Sequence, residues 1–285
     1  MNSPVKLIEC PRDAMQGWKN FIPTEKKIEY INSLLKVGFD TIDFGSFVSA
    51  KAIPQMADTK EVVNSLESGV SKSKLLAIVA NLRGAEEAST FDQITYLGFP
   101  FSVSETFQQR NTNSSVEESL KRVEEIQSLC INKNKKLVIY ISMAFGNPYG
   151  DLYDEDIVFN WVEKLVELDI DIISLADTVG VASPEQVYDM TSYLVESLPA
   201  TEIGVHLHST SENWHQKLAA AIKAGCTRFD GALKGIGGCP MANDDLVGNM
   251  NTEWMISYLE KNNIETGLDK EALAESLRIA GAIFI

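Results

Sequence analysis

The chain has 285 residues, 45% of them hydrophobic and 23% charged, with a formal net charge of -15. Such a length and composition suit one globular domain with a sizeable core, and the acidic balance excludes a generic nucleic-acid or anionic-membrane binder. Four scattered cysteines without a CxxC pair (Cys10, Cys130, Cys226, Cys239), together with the lack of a signal or transit peptide at Met1–Lys6, exclude a disulfide framework and point to the reducing cytoplasm, and no apolar run reaches the length of a membrane span.

Along the chain, eight short β-rich runs recur: 6–10, 41–45, 74–80, 94–99, 137–144, 172–178, 203–209 and 229–235. Between them lie stretches with helical periodicity at 24–37, 114–133, 154–168, 183–198 and 212–224, with shorter candidates at 58–66 and 83–90. Thr24, Ser114 and Asp154 stand at helix starts, Pro184 occupies a first helical position, and Gly38 and Gly225 follow helix ends. Eight strands alternating with helices, without a charged linker or a low-complexity stretch, predict a single α/β domain over 1–285, a (β/α)8 TIM barrel. An open doubly wound sheet is disfavoured because no glycine-rich dinucleotide fingerprint follows the first strand. The tail from 244 to 285 predicts a C-terminal helical extension, at least one helix beyond the minimum, covering part of the mouth.

In such a barrel the chemistry sits beyond the C-terminal ends of the strands. Polar groups fall there repeatedly: Arg12 and Asp13 after the first strand, Ser46 to Lys51 after the second, Asn81 and Arg83 after the third, Asp177 and Thr178 closing the sixth. On the seventh, His206 and His208 are two of only three histidines in the chain. Residues two apart on a strand share a face, so the pair offers two imidazoles side by side, as a divalent metal requires. Hydrogen-bonded core or surface histidines are the alternative. With Asp13 as carboxylate and an amide oxygen, the mixed N/O set suits Mg²⁺ or Mn²⁺ better than a closed structural zinc. Arg12 could neutralise charge on an enolate-like oxygen, or form a structural salt bridge to Asp43 or Asp177. Cys239, in Gly237-Gly238-Cys239-Pro240, sits where a mobile lid tip would carry a proton donor or nucleophile, or is an inert turn residue. His215, on a helix face, reads as a packing or surface residue.

At these positions the sequence resembles the 3-hydroxy-3-methylglutaryl-CoA lyases. Glu9-Cys10-Pro11-Arg12-Asp13-Ala14-Met15-Gln16 is similar to that family's E-x-G-P-R-D-G-L-Q opening. The likeness continues through Ser46-Phe47-Val48-Ser49, Pro54-Gln55-Met56, Asn111 with Ser115–Ser119, Gly146-Asn147-Pro148-Tyr149, Asp177-Thr178-Val179-Gly180, His206-Leu207-His208, Gly237–Pro240 and Gly248–Glu253. The resemblance implies a metal-dependent TIM barrel that cleaves 3-hydroxy-3-methylglutaryl-CoA by a retro-Claisen reaction into acetyl-CoA and acetoacetate. It implies Asp13, His206, His208 and Asn249 as ligands of a divalent cation (Mg²⁺ or Mn²⁺), Arg12 as the essential arginine and Cys239 as the proton donor. His206 is a further candidate as base, and Asp177 is expected to orient Arg12 or a ligand. Asp43, Glu253 and Gln16 are expected to support the ligands from outside. Lys51, Arg110 and Asn111 are expected to contact the CoA of an acyl-CoA substrate, and the family is commonly a homodimer.

Departures from the family pattern are Cys10 and Ala14 for glycines, Asp43 for Glu, Ser209 for Asp, Ala50 and Ala52 for Pro and Trp, and a Cys239–Asn249 loop one residue longer. Most lie near the expected acyl-CoA entrance. Two other readings are a related aldolase or Claisen-type synthase on another acyl-CoA or 2-oxo acid, and a non-catalytic metal-binding descendant. The Gly-Gly-Cys-Pro lid argues against the first, and the intact set of Arg12, Asp13, His206, His208, Cys239 and Asn249 against the second.

Overall fold

A computed structural model describes residues 4–238 and 247–285. Eight parallel strands close into a barrel in sequence order: β1 (Lys6–Glu9), β2 (Thr41–Ser46), β3 (Lys74–Ile78), β4 (Ile94–Ser102), β5 (Lys136–Ser142), β6 (Ile172–Ala176), β7 (Glu202–His206) and β8 (Arg228–Gly231). The barrel shuts by register pairing of β1 with β8, Lys6 opposite Arg228 through Glu9 opposite Gly231. The fold is the expected (β/α)8 barrel.

The helices are α1 (Pro11–Gln16), α2 (Thr24–Val37), α3 (Thr59–Asn64), α4 (Leu82–Ala88), α5 (Glu105–Thr112), α6 (Val116–Asn132), α7 (Glu155–Val166), α8 (Pro184–Ser197), α9 (Trp214–Lys223), α10 (Thr252–Lys261) and α11 (Lys270–Ile283). Local chemistry sets their starts. Ser115 and Ser183 form reciprocal capping boxes with Glu118 and Gln186, and Asp154 accepts from the Ile157 amide. Gly38 ends α2 in the left-handed region, at φ 88°.

Strand alternation divides the core into two parts. Alternate residues such as Leu75, Ala77, Leu97 and Ile139 join the large cluster between sheet and helices. The others, Leu76, Ile78, Tyr96, Val138, Tyr140 and Ile172, make a smaller cluster inside one side of the barrel.

Three elements depart from the sequence expectation. Arg12 and Asp13 lie not on a loop but in the first turn of α1, which Pro11 opens at a position where a missing N–H costs nothing. α5 was invisible because its run Glu-Thr-Phe-Gln-Gln-Arg-Asn-Thr has no apolar stripe; only Phe107 and Gln108 are buried, and the Ser104 hydroxyl supplies its cap. The tail holds two helices. The second, α11, packs along α2 rather than over the mouth, with Phe284 edge-on to Trp18 and Tyr30.

Glu9, at the end of β1, is buried and accepts hydrogen bonds from the Leu233 amide (2.7 Å) and the Thr252 hydroxyl (2.6 Å). It thereby ties together the two chain segments that flank 234–251. Burial pushes its carboxyl up to about 8, against those two hydrogen bonds and with the help of Glu253. The folded carboxyl therefore keeps its proton to about pH 8 while the unfolded one releases it near 4.5. Stability from this group is full below the lower value and lost as pH rises through that window, by on the order of a few kcal/mol. Denaturant titrations between pH 5 and 8 are expected to show that decline. They are expected to show it flattened in Glu9→Gln, whose amide can still accept from Leu233 and donate to Thr252. An undiminished slope in the variant would place the pH dependence elsewhere.

Candidate active site

The polar groups converge at the mouth, around a cavity of about 400 Å³ lined by Arg12, Asp13, Arg110, Asn111, His206 and His208 among others. The two histidines arrive as the strand period requires: His206 is the last residue of β7, and His208 lies just beyond it in an isolated antiparallel bridge with Asn249. Their rings are 5.4 Å apart. Ligand atoms of Asp13, His206 and His208 all lie within 4.8 Å of one another.

Asn249 completes the group. Its amide nitrogen donates to Asp13 Oδ2 at 2.7 Å and to the Ile236 carbonyl at 2.9 Å. Its Oδ1 is buried with no hydrogen-bond partner. An orphaned buried acceptor demands an explanation, and a cation held by two imidazoles, a carboxylate and this amide oxygen provides one. The residues fit a divalent cation with a mixed nitrogen and oxygen donor set.

Charges agree with that use. Burial would raise Asp13, but Arg12, the two histidines and the Asn249 amide hold its carboxyl down to about 2. Burial and the neighbouring His206 push His208 down to about 4, so its imidazole is neutral near pH 7, as a ligand must be. Burial opposes the charge on His206, and the hydrogen bond and charge of Asp230 raise it.

Arg12 is almost fully buried and forks onto Asp43, with Nε at 3.1 Å and Nη2 at 2.5 Å from Oδ2, while Nη1 donates to Asp13 Oδ1 at 2.8 Å. Gln16 donates to the same Asp13 oxygen at 2.8 Å. Of the two carboxylates available to Arg12, the structure selects Asp43; the shorter side chain reaches it directly, beside an irregularity in β2–β3 pairing between Asp43 and Gly45. Burial pushes Asp43 up to about 6 against the pull of Arg12.

Asp177 does not orient Arg12. Its Oδ2 accepts from Lys217 Nζ at 2.6 Å, and the same ammonium donates to the His208 carbonyl at 2.9 Å. Asp177 thus acts on a ligand's backbone through a buried lysine. Glu253 stands apart from the ligands: it accepts from the Lys234 amide at 2.9 Å and fixes the turn at 233–235, where Lys234 has φ 64°. Arg110 and Asn111 line the cavity, with the Arg110 guanidinium 4.6 Å from the Tyr149 ring centroid. Lys51 is exposed on the loop whose Val48 and Ala52 line it. His215 is exposed, edge-on to Tyr258. Cys239 lies outside the described residues.

Sequence reasoning missed two supporting groups. Asp230, inside β8, meets His206 Nδ1 at 3.1 Å; an acid within a strand run next to the one that carries the histidines was the available signal. Lys217 shares the buried face of α9 with Leu218 and Ala221. A lysine on an apolar helix face needs a partner carboxylate, and only the fold shows which one.

Fold and site together define a TIM barrel with a divalent-metal donor set and a buried arginine at its mouth. The chain belongs to the HMGL-like family, whose profile matches residues 5–279. The cytoplasmic 3-hydroxy-3-methylglutaryl-CoA lyase of Rattus norvegicus is 34% identical over 277 residues, covering 95% of this chain and 79% of the relative. Hydroxymethylglutaryl-CoA lyase YngG of Bacillus subtilis is 33% identical over 270 residues, 94% of this chain and 89% of its own. An HMG-CoA lyase structure from Acinetobacter baumannii, in complex with coenzyme A and 3-methylmalate, superposes with a TM-score of 0.92 at 32% identity, covering 100% of this chain and 93% of that one.

Proposed function

We propose that this protein is a carbon–carbon lyase that cleaves 3-hydroxy-3-methylglutaryl-CoA to acetyl-CoA and acetoacetate. The observation that carries the reading is the convergence of Arg12 with Asp13, His206 and His208 on one cavity, with Asn249 hydrogen-bonded to Asp13 behind it, in a chain that matches HMG-CoA lyases over nearly its whole length.

Asp13, His206, His208 and Asn249 would hold a divalent cation, Mg²⁺ or Mn²⁺. Bound there, the ion supplies Lewis acidity that makes the substrate's tertiary hydroxyl more acidic. Because His206 Nδ1 is tied to Asp230, only Nε2 remains for the cavity. The ligand and base roles therefore compete for one nitrogen, and we assign His206 the ligand role. In the reaction the tertiary hydroxyl gives its proton to a water molecule in the cavity, the C2–C3 bond breaks, and the electron pair passes to the acetyl-CoA enolate. Arg12, already held in place by Asp43, stabilises the enolate oxygen. Cys239 is proposed to return a proton to carbon. Arg110 and Asn111 at the cavity wall, and Lys51 on its exposed loop, are assigned to the CoA portion, where cationic and amide groups offset the global negative charge. The dimer common in the family is the proposed assembly, and a reducing compartment suits Cys10, Cys130 and Cys226, which are all free.

The direct test is acetoacetate release from 3-hydroxy-3-methylglutaryl-CoA by protein loaded with Mg²⁺ or Mn²⁺. Turnover that disappears on chelation and in His208→Ala is expected. Folded, metal-loaded protein that releases no acetoacetate would refute the substrate.

A further inference from the structure

Beneath the metal-type donor set, the barrel interior holds a polar row that the reaction as proposed does not use. Register pairing runs without a break from Tyr140 on β5 to Ser174 on β6, Gly204 on β7 and Arg228 on β8. Partners in one parallel row point the same way. Here that direction is inward, since Tyr140 belongs to the inner cluster and a Cβ on Gly204 would lie 2.9 Å from Arg228 Cδ. The missing Cβ of Gly204 leaves the passage through which the Arg228 side chain crosses the barrel. Its guanidinium reaches to 6.0 Å from the ring centroid of Tyr96, on β4.

Arg228 is fully buried, yet only Nη1 has a partner, Glu202 Oε1 at 3.4 Å. Nε and Nη2 have none, nor do the Ser174 and Tyr140 hydroxyls or Asp230 Oδ1. Five buried polar atoms are thus unpaired, two on the Arg228 side chain itself and one each on Tyr140 of β5, Ser174 of β6 and Asp230 of β8. Burial opposes the charge of Arg228, but Asp230, Tyr140 and Glu202 preserve it. Arg228 and Asp230 are two residues apart on one strand and face the same interior without closing a direct salt bridge.

We propose that this interior is a hydrated chamber in which ordered water joins Arg228 to Asp230, Ser174 and Tyr140, making Arg228 a positioning residue for His206. Water, rather than an anion, matches the chemistry. The unpaired set mixes donors (Arg228), an acceptor (Asp230) and hydroxyls that do either, and Asp230 and Glu202 already supply negative charge. At about three hydrogen bonds per buried water, five orphaned atoms call for about two molecules. The chain of influence is short: Arg228 through water to Asp230 Oδ1, Asp230 Oδ2 to His206 Nδ1, and so the aim of the other imidazole nitrogen into the site. That last link rests on the metal reading above; the chamber does not.

The test has two arms. A high-resolution crystal structure of the unmodified protein is expected to show about two ordered waters bonded to Arg228, Ser174 and Asp230. Mn²⁺ titrated into the metal-free protein, with free ion followed by electron paramagnetic resonance, is expected to bind about tenfold more weakly to Arg228→Met, the lower end for loss of a ligand-supporting group. Arg228→Lys is expected to recover most of that affinity, because water transmits a charge without demanding the fork. Should Arg228→Met fail to fold, Gly204→Ala serves instead. It removes no polar group but pushes the guanidinium aside, and the same weakening is expected. A dry interior overturns the chamber. Arg228→Met or Gly204→Ala binding Mn²⁺ as tightly as wild type overturns the positioning role. Wild-type protein that binds no Mn²⁺ would refute the metal reading and, with it, that role, while the crystal structure would still decide the chamber.

Discussion

Arg12→Lys is expected to fold and to lose about 10²- to 10³-fold in kcat, the range for removing one preorganised donor from a developing oxyanion, with KM changed little. Lysine keeps the charge but not the fork. Arg12 uses Nε and Nη2 on Asp43 and Nη1 on Asp13, so its plane is fixed before substrate arrives. A single ammonium cannot hold both carboxylates and still present a donor to the cavity. Arg12→Gln goes further by leaving the buried Asp43 carboxylate without its cation, which is expected to cost about 3–5 kcal/mol of stability. Affinity for the divalent ion should not fall in either variant, since Arg12 is a positive charge beside the cation site. Steady-state kinetics alongside Mn²⁺ titration therefore separates the roles. Wild-type kcat in Arg12→Lys would remove Arg12 from the chemistry, and a kcat loss explained wholly by lost metal would make it a support for Asp13.

The second large effect concerns the ion. Stripping divalent metal with a chelator is expected to abolish turnover and its return to restore it. A ligand bound only by the folded state also stabilises that state, by about 2.7 kcal/mol at a free concentration 100-fold above its dissociation constant. For a chain of this size that is a rise of roughly 5 °C or more in melting temperature. Asp13→Asn is expected to lose both the turnover and the thermal shift. It replaces a carboxylate held down to about 2 by a neutral amide, beside an Asn249 whose own nitrogen needs an acceptor at Asp13 Oδ2. A thermal shift that survives in Asp13→Asn would mean that the ion binds elsewhere.

The barrel was legible because its signal is repetition: eight short runs spaced by helical stretches leave few alternatives. The His-x-His pair was legible because strand geometry has a period of two and histidine is rare in this chain. Pairings between distant elements were not. Arg12 had two candidate carboxylates, Asp43 within the second strand and Asp177 just after the sixth, and nothing local distinguishes them. The fold decides, because Lys217 comes inward from α9 and claims Asp177. α5 escaped for a different reason: it is held by its cap and by what packs around it, not by an apolar stripe of its own. Arg228 in the barrel interior was hidden because the eighth run was read from 229, which leaves the arginine just outside it; the strand starts at Arg228, and Gly204 makes room for the side chain.

The bond from Asn249 to Asp13 joins residues 236 positions apart, and the β1–β8 pairing that brings them together is the last seam of the barrel. As the chain emerges from the ribosome, N-terminal end first, Asp13 appears early but must wait for nearly the whole polypeptide before its amide partner exists. A nascent chain can therefore offer a cation at most an incomplete set of donors, and the full set arises only once the barrel has shut. Metal capture should then behave as a late seal on a finished fold rather than a seed for it, arriving on the timescale of barrel closure even when the ion is abundant throughout synthesis.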